Sequence, residues 1–351
     1  MSGVVIVRMG GEIGIKSRPV RSIYERKIAK IVRTVLEREG IPFTEVHRSA
    51  GRIYVFTDQA EKASRSVARI FGVSSASAGI AVSSELNEIV RKGTELAISK
   101  FKSGSFAVRC RRSGHHEYTS MEVASLIGES ILRSEKRLRV DLENPDQTLY
   151  VEIRDDRAYL YFESVKGPDG FPFGTQDHLL GVVDETKESL LAAWCMLKRG
   201  ASLKAITYEN CGAVPEGVLA NLKKLCEWVP EARIETFIVS LTEESRKSSM
   251  SYELGVAISI AEREKINGVV SGLRPKTISA LRPLSSFGVQ VFFPLMALED
   301  QTLDEWSRYI GIGEYAPDEK AFKDFEILED QSLDAIVSNC RKIILSPSSP
   351  F

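Results

Sequence analysis

The stretch Gly167-Pro-Asp-Gly-Phe-Pro-Phe-Gly174 divides the chain, because the hydrophobic rhythm differs on its two sides. Beyond it, short apolar runs alternate with amphipathic stretches. Residues 179–183, 203–208 and 233–239 read as strands, and each is followed by a helical pattern, over 189–199, 216–228 and 250–264. Residues 268–271 and 289–293 supply two more strands, and 303–309 a further helix. Parallel strands need long crossovers, so this alternation predicts a doubly wound parallel sheet over 167–317. Residues 318–351 read as a C-terminal extension, charged and irregular up to a stretch at 333–345 and frayed at its Ser-Pro-Ser-Ser-Pro-Phe end.

The front half follows another pattern. Residues 4–7 read as a strand, 9–16 as a Gly-rich turn, and a helix runs from Arg18 to a stop at Gly40. Ile23, Ile28, Ile31, Val32 and Val35 are expected on its apolar face. A strand pair at 44–46 and 52–56 and a helix over 60–71 complete a β-α-β-β-α order, which predicts a small ferredoxin-like α+β domain over 1–75. A second unit, 76–166, holds a helix at 86–101 and a hairpin of strands 148–153 and 158–162. The glycines near residue 10 lack the strand, helix and downstream acid of a dinucleotide site.

Within the second unit lies Phe106-Ala-Val-Arg-Cys-Arg-Arg-Ser-Gly-His-His-Glu-Tyr-Thr-Ser-Met-Glu-Val123. Its first half alternates as a half-buried strand, then breaks into a basic loop. Ser120 is expected to cap a helix with Val123, Leu126, Ile127 and Ile131 on its apolar face. Two guanidiniums and two imidazoles beside a helix N-terminus suit a phosphate backbone. A solvated loop with scattered charge is the rival reading, and the residues alone weigh the two equally.

Charge is distributed unevenly. Residues 1–112 hold 21 Lys and Arg against 10 Asp and Glu, although the whole chain of 351 residues nets −1. A basic front and an acidic rear point to nucleic acid at the front, with a chance excess on solvated helices as the rival reading, since no single stretch is polybasic. No apolar run reaches the roughly 20 residues of a membrane span, and the N-terminus does not read as a signal peptide. The five cysteines, Cys110, Cys195, Cys211, Cys226 and Cys340, form no CxxC pair. A reduced, cytoplasmic protein without a zinc or dithiol centre is expected.

Three blocks carry a family likeness: residues 5–21; residues 108–123 with Val140-Asp-Leu-Glu-Asn-Pro-Asp146; and Gly170-Phe-Pro-Phe-Gly-Thr-Gln176. Together they resemble the tRNA sulfurtransferase family, the ThiI-type tRNA 4-thiouridine synthetases. The resemblance spans about residues 3–315. It implies an N-terminal ferredoxin-like domain, a THUMP domain that binds tRNA, and a PP-loop (adenine nucleotide alpha hydrolase-like) domain that activates a uridine with ATP and Mg. It also implies a dimer. Lys16, Arg18, Arg21, Arg109, Arg111, Arg112, His115 and His116 are then the candidate RNA contacts.

The nucleotide site should follow the strand at 179–183, in the neighbourhood of Val182, Val183, Tyr208, Gly272 and Lys276. The family carries Ser-Gly-Gly-X-Asp-Ser there, and its glycines let backbone N–H groups close on pyrophosphate. This chain has Asp184-Glu185-Thr186-Lys187-Glu188-Ser189. Two carboxylates stand where polyphosphate should sit. Like charges about 4 Å apart repel by about 4 kcal/mol at an effective dielectric near 20. Phe293 and Asp300 replace an Arg and a Lys of the family pattern, Met250 falls where a basic residue is expected, and 311–322 holds no cysteine. Arg274 and Lys276 are candidates for a substitute phosphate site, and Cys211 and Cys340 for a replacement sulfur carrier; Cys195 reads as core. The expectation is a tRNA-binding protein whose PP-loop domain has lost adenylation and serves as scaffold, dimer surface or subunit for a separate sulfur-carrier or catalytic partner. The alternatives are an active ATP-dependent tRNA sulfurtransferase with divergent loop chemistry, and a thiamine-pathway sulfur-transfer enzyme.

Overall fold

The computed structural model describes residues 3–49, 51–209, 212–240, 250–274, 288–312 and 340–347. They fall into two compact units that divide after Asp169. The first unit begins with β1 (Gly3–Met9), α1 (Gly11–Gly14), α2 (Arg18–Arg38), β2 (Glu45–Ser49), β3 (Arg52–Phe56), α3 (Ala60–Ala68) and β4 (Val73–Ser83). Strand order β2-β3-β1-β4 in this first lobe is ferredoxin-like. The second lobe continues with α4 (Leu86–Lys100), β5 (Gly104–Ser113), α5 (Ser120–Ser134), β6 (Leu138–Val140), β7 (Gln147–Arg154), β8 (Arg157–Tyr161) and β9 (Val165–Lys166). β4 pairs with β1 on one edge and with β8 and β9 on the other, so one sheet of nine strands serves both lobes. The division expected at 75/76 therefore falls inside a strand.

This sheet is rolled. Ser77 and Ala81, four residues apart on β4, are about 13 Å apart along an extended chain. Tyr54 lies on the Ser77 row through Ile6, and Tyr159 pairs with Ala81. Yet the two tyrosine rings stack at 4.4 Å with their planes 14° apart. The Arg157 guanidinium likewise lies 5.2 Å from the Phe56 ring. The sheet coils until β3 and β8 face each other across it, burying Val4, Ile6, Tyr54, Phe56 and Tyr159. Gly79 sits at the bend. A Cβ there would stand 2.2 Å from the Leu160 carbonyl oxygen, so a side chain would push β8 away. The opposite face of the second lobe packs Phe106, Val108, Leu149, Val151 and Leu160 against Ile89 of α4 and Val123, Ile127 and Ile131 of α5.

The second unit holds β10 (His178–Val182), α6 (Lys187–Lys198), β11 (Ser202–Glu209), α7 (Glu216–Cys226), β12 (Ile234–Ser240), α8 (Met250–Arg263), β13 (Gly268–Val270), β14 (Gln290–Phe292), α9 (Asp300–Ile310) and β15 (Arg341–Leu345). Strand order is β14-β13-β10-β11-β12-β15, parallel except for the antiparallel β15. The chain leaves β10 toward β11 and later returns to β13 on the other side. The carboxyl ends of β10 and β13 thus form a topological switch point, where open α/β sheets bind ligands.

Three local expectations are corrected. The stretch at 9–16 contains a helical turn, α1, rather than only a Gly-rich loop. Thr119, not Ser120, caps α5; its hydroxyl accepts the Glu122 N–H while the Glu122 carboxylate accepts the Thr119 N–H at 2.7 Å. Ile23 and Leu126 are exposed at 51% and 39%, because each lies at the margin of its helix's apolar face. Within the stretch 333–345, set apart from the irregular residues before it, β15 closes the sheet edge beside β12 and buries Leu345.

Candidate functional site

The cationic loop grows out of β5. Val108 and Cys110 face the helices, so Arg109 and Arg111, one residue out of phase, stand on the other face and are exposed. Arg109 donates to the Leu142 carbonyl at 2.5 Å. Arg112 donates to the Gly114 carbonyl at 3.1 Å, and Gly114 takes a φ of +96° to turn the chain back. His116 lies 2.7 Å from the Asp155 carbonyl through Nε2 and 3.5 Å from Arg112 Nη1 through Nδ1. A carbonyl only accepts, so Nε2 carries the hydrogen. His116 ties the loop to the β7–β8 turn, whereas His115 is exposed. The Thr119–Glu122 capping box takes one first-turn donor of α5, the Glu122 N–H.

Lys16 and Arg18 are exposed at the α1–α2 junction, and Arg21 lies 3.7 Å from Glu25 one turn along. α2 packs on β2 and β3, far in strand order from β5, so the two groups of candidate RNA contacts occupy different lobes. Between them lies a feature that the sequence reading missed. Glu152 of β7 is 5% exposed and is reached by Arg8, Arg52 and Arg154. The signal was present in the charged residues that interrupt three otherwise apolar strands.

In the second unit, β10 and α6 bring residues 182–189 together at the switch point. Three backbone donors of this turn are already used. Asp184 N–H donates to Ser189 Oγ at 3.1 Å, Thr186 N–H to Asp184 Oδ1 at 2.8 Å, and Ser189 N–H to Thr186 Oγ1 at 3.2 Å. Thr186 is thus the N-cap of α6, and the Asp184 carboxylate lies where an anion would meet the amide of Thr186. Ser189 is 3% exposed, with its hydroxyl between the carbonyls of Asp184 and Thr186 at 3.2 and 3.0 Å. One hydroxyl has one proton to give, so Ser189, held between two carbonyls, has none left over for another acceptor. Asn221 of α7, 2% exposed, donates to the same two carbonyls at 2.8 and 3.0 Å and locks the turn from behind. Sequence reading passed over Asn221 because a lone polar residue on an apolar helix face has no local signature.

The surrounding charges are also spoken for. Lys187 pairs with Asp304 at 2.8 Å, and Arg274 pairs with Asp300 while donating to the Leu298 carbonyl at 3.1 Å. Glu185 lies over the first turn of α7, where a Cβ on Gly217 would meet it at 3.2–3.3 Å. Gly272 presses on α6, with an added Cβ 2.7 Å from the Glu188 carbonyl carbon and the Ser189 nitrogen. Tyr208 donates its hydroxyl to the Glu253 carbonyl, and Phe293 packs into the core beneath β13 and β14. Lys276 and Cys211 lie outside the described residues, as does most of 311–322. Among the described residues, the N–H groups of Asp184, Thr186 and Ser189 are satisfied within the turn, and Lys187 and Arg274 are paired with acids of the same chain.

Residues 4–77 match the ThiI ferredoxin-like domain family, and residues 83–163 match the THUMP domain family. A probable tRNA sulfurtransferase of Methanosarcina acetivorans is 28% identical across 94% of this chain and 89% of its own length. One from Methanobrevibacter smithii is 33% identical over 64% of this chain and 58% of its own. The crystal structure of PH1313 from Pyrococcus horikoshii superposes with a TM-score of 0.73 at 29% identity, covering 89% of this chain and all of that one. A 4-thiouridine synthetase solved with RNA and bound ATP shares the fold at a TM-score of 0.78 and 21% identity, covering 99% of this chain. With both front domains matched and relatives of one kind along nearly its whole length, the chain is similar throughout to ThiI-type tRNA sulfurtransferases.

Proposed function

We propose that this chain is a tRNA-binding member of its family whose α/β domain no longer adenylates. The observation that carries the reading is the turn at 184–189, where the chain's own carboxylate and hydroxyls take the donors that a pyrophosphate needs. The front unit keeps an exposed basic strand and loop at Arg109, Arg111, Arg112 and His115, and a second basic group at Lys16, Arg18 and Arg21. RNA helices are held through shape, phosphate and 2′-hydroxyl contacts, which such side chains supply. The rear unit then acts as a scaffold or as the subunit that docks a separate catalytic partner.

The test pairs two measurements on the full chain. Calorimetry with ATP and Mg²⁺ should give no heat of binding, and incubation with bulk tRNA and ATP should release no AMP. A tRNA gel shift should show binding that weakens steeply with salt. Tight ATP binding or tRNA-dependent AMP release would overturn the loss of adenylation. A missing gel shift would overturn the RNA role.

A further inference from the structure

The carboxylate of Glu152 gathers donors from both lobes of the first unit. Arg8 comes from β1 and reaches Oε2 at 3.1 Å. Arg52 comes from β3 and reaches Oε1 at 3.3 Å, and Arg154, on β7 itself, reaches Oε1 at 2.7 Å. Arg8 is fixed in turn by Ser77 Oγ at 2.9 Å and lies 4.8 Å from the Tyr161 ring. Arg52 also donates to the Gly51 carbonyl at 3.1 Å. One buried anion thus joins β1 and β3 of the first lobe to β7 of the second, across the face where the sheet closes on itself.

A buried ion network is weak evidence for stability, and its best-attested use is to fix one arrangement among several. Here the arrangement at stake is the orientation of the lobes, because the carboxylate sits on one of them and two of its three guanidinium partners come from the other. Glu152 is also the β7 partner of Arg111 on β5, so the node borders directly on the exposed cationic strand. We propose that Glu152 is a positioning residue for nucleic acid: it holds the ferredoxin-like and THUMP lobes at the angle at which their two basic surfaces engage one RNA. This rests on the reading that the front unit binds tRNA.

The test is the tRNA affinity of Glu152→Gln in the full chain, measured across a salt series. Simple electrostatics predicts tighter binding, because a negative charge is removed beside a basic surface. Positioning predicts the reverse, a loss of about tenfold or more, with the slope of log K against log salt unchanged because no phosphate contact is deleted. Arg111→Gln should instead lower the slope by about 0.9. Arg52→Gln leaves Glu152 with two partners and guards against a variant that fails to fold. It should weaken binding several-fold at constant slope, and the double variant should bind no worse than Glu152→Gln alone. Equal or tighter binding by Glu152→Gln, or additive losses in the double variant, would overturn the proposal. Absence of binding by the unaltered chain would remove the RNA reading as well, whereas binding unaffected by these changes removes the positioning role alone.

Discussion

Among the described residues, Ser189 and four thiols bear most directly on the chemistry open to this chain. Ser189 is legible in the sequence as a remnant, but its hydroxyl's engagement with two carbonyls is a property of the folded turn. The thiols are set by burial. Burial pushes Cys195 and Cys226 up to about 12, with Lys198 lowering the first only in part. Cys110 also rises to about 12 despite Arg112 nearby, and Cys340 is raised from its ordinary value by burial. The thiolate is the nucleophile, and at pH 8 a thiol of this kind holds a thiolate fraction of roughly one in ten thousand. Native protein treated with a thiol reagent at pH 8 should therefore leave Cys110, Cys195 and Cys226 unmodified until denaturant is added. Rapid labelling of Cys195, mapped by mass spectrometry, would show that its helix opens and that the site is reachable.

At the scale of the element, the first turn of α6 carries the most concentrated set of local bonds. Thr186 caps the helix, receives the Ser189 N–H and donates to Asp184. Thr186→Ala should cost about 1–2 kcal/mol in urea unfolding of the second unit, as loss of an N-cap does. Asn221→Ala should cost about 1–3 kcal/mol, because the two hydrogen bonds from its buried amide to the turn are lost. Neither variant should gain affinity for ATP, since the Asp184 carboxylate stays in place; a gain would mean that the turn alone blocks the site. Legibility follows the range of the interaction. The strands and helices of the second unit could be read because parallel strands are short apolar runs and their helices are amphipathic, both local patterns. The turn at 184–189 carries a local signal too, the lack of any glycine in it. What escaped was long-range: β15 completing the sheet beside β12, β4 serving two lobes, and Arg8, Arg52 and Glu152 meeting from positions 44 to 144 residues apart. The miss between Thr119 and Ser120 was of another kind, since both types cap helices and only the Glu122 spacing, three residues on, separates them.

For the molecule as a whole, the two units have separate cores, and the first one rests on a carboxylate that must stay ionised. Burial would raise Glu152, but the hydrogen bond from Arg154 and the charges of Arg8, Arg52 and Arg154 outweigh it and hold the group below its ordinary value of 4.5. A carboxyl depressed in the folded state contributes stability that is fully present above the unfolded value and is lost as pH falls through the lower folded one. Glu39, held low by Ser66, Arg38 and Arg69, acts in the same direction within the first unit. Calorimetry of the full chain should thus show a first-unit transition that is insensitive to pH between about 7 and 5 and falls in temperature below about 4.5. In Glu152→Gln the same transition should begin lower at pH 7, because three guanidiniums lose their buried partner, and should fall less on acidification. If the variant and the unaltered chain lost stability in parallel from pH 5 to 3, the acid sensitivity would belong to other carboxylates and the node would not govern how the first unit holds together.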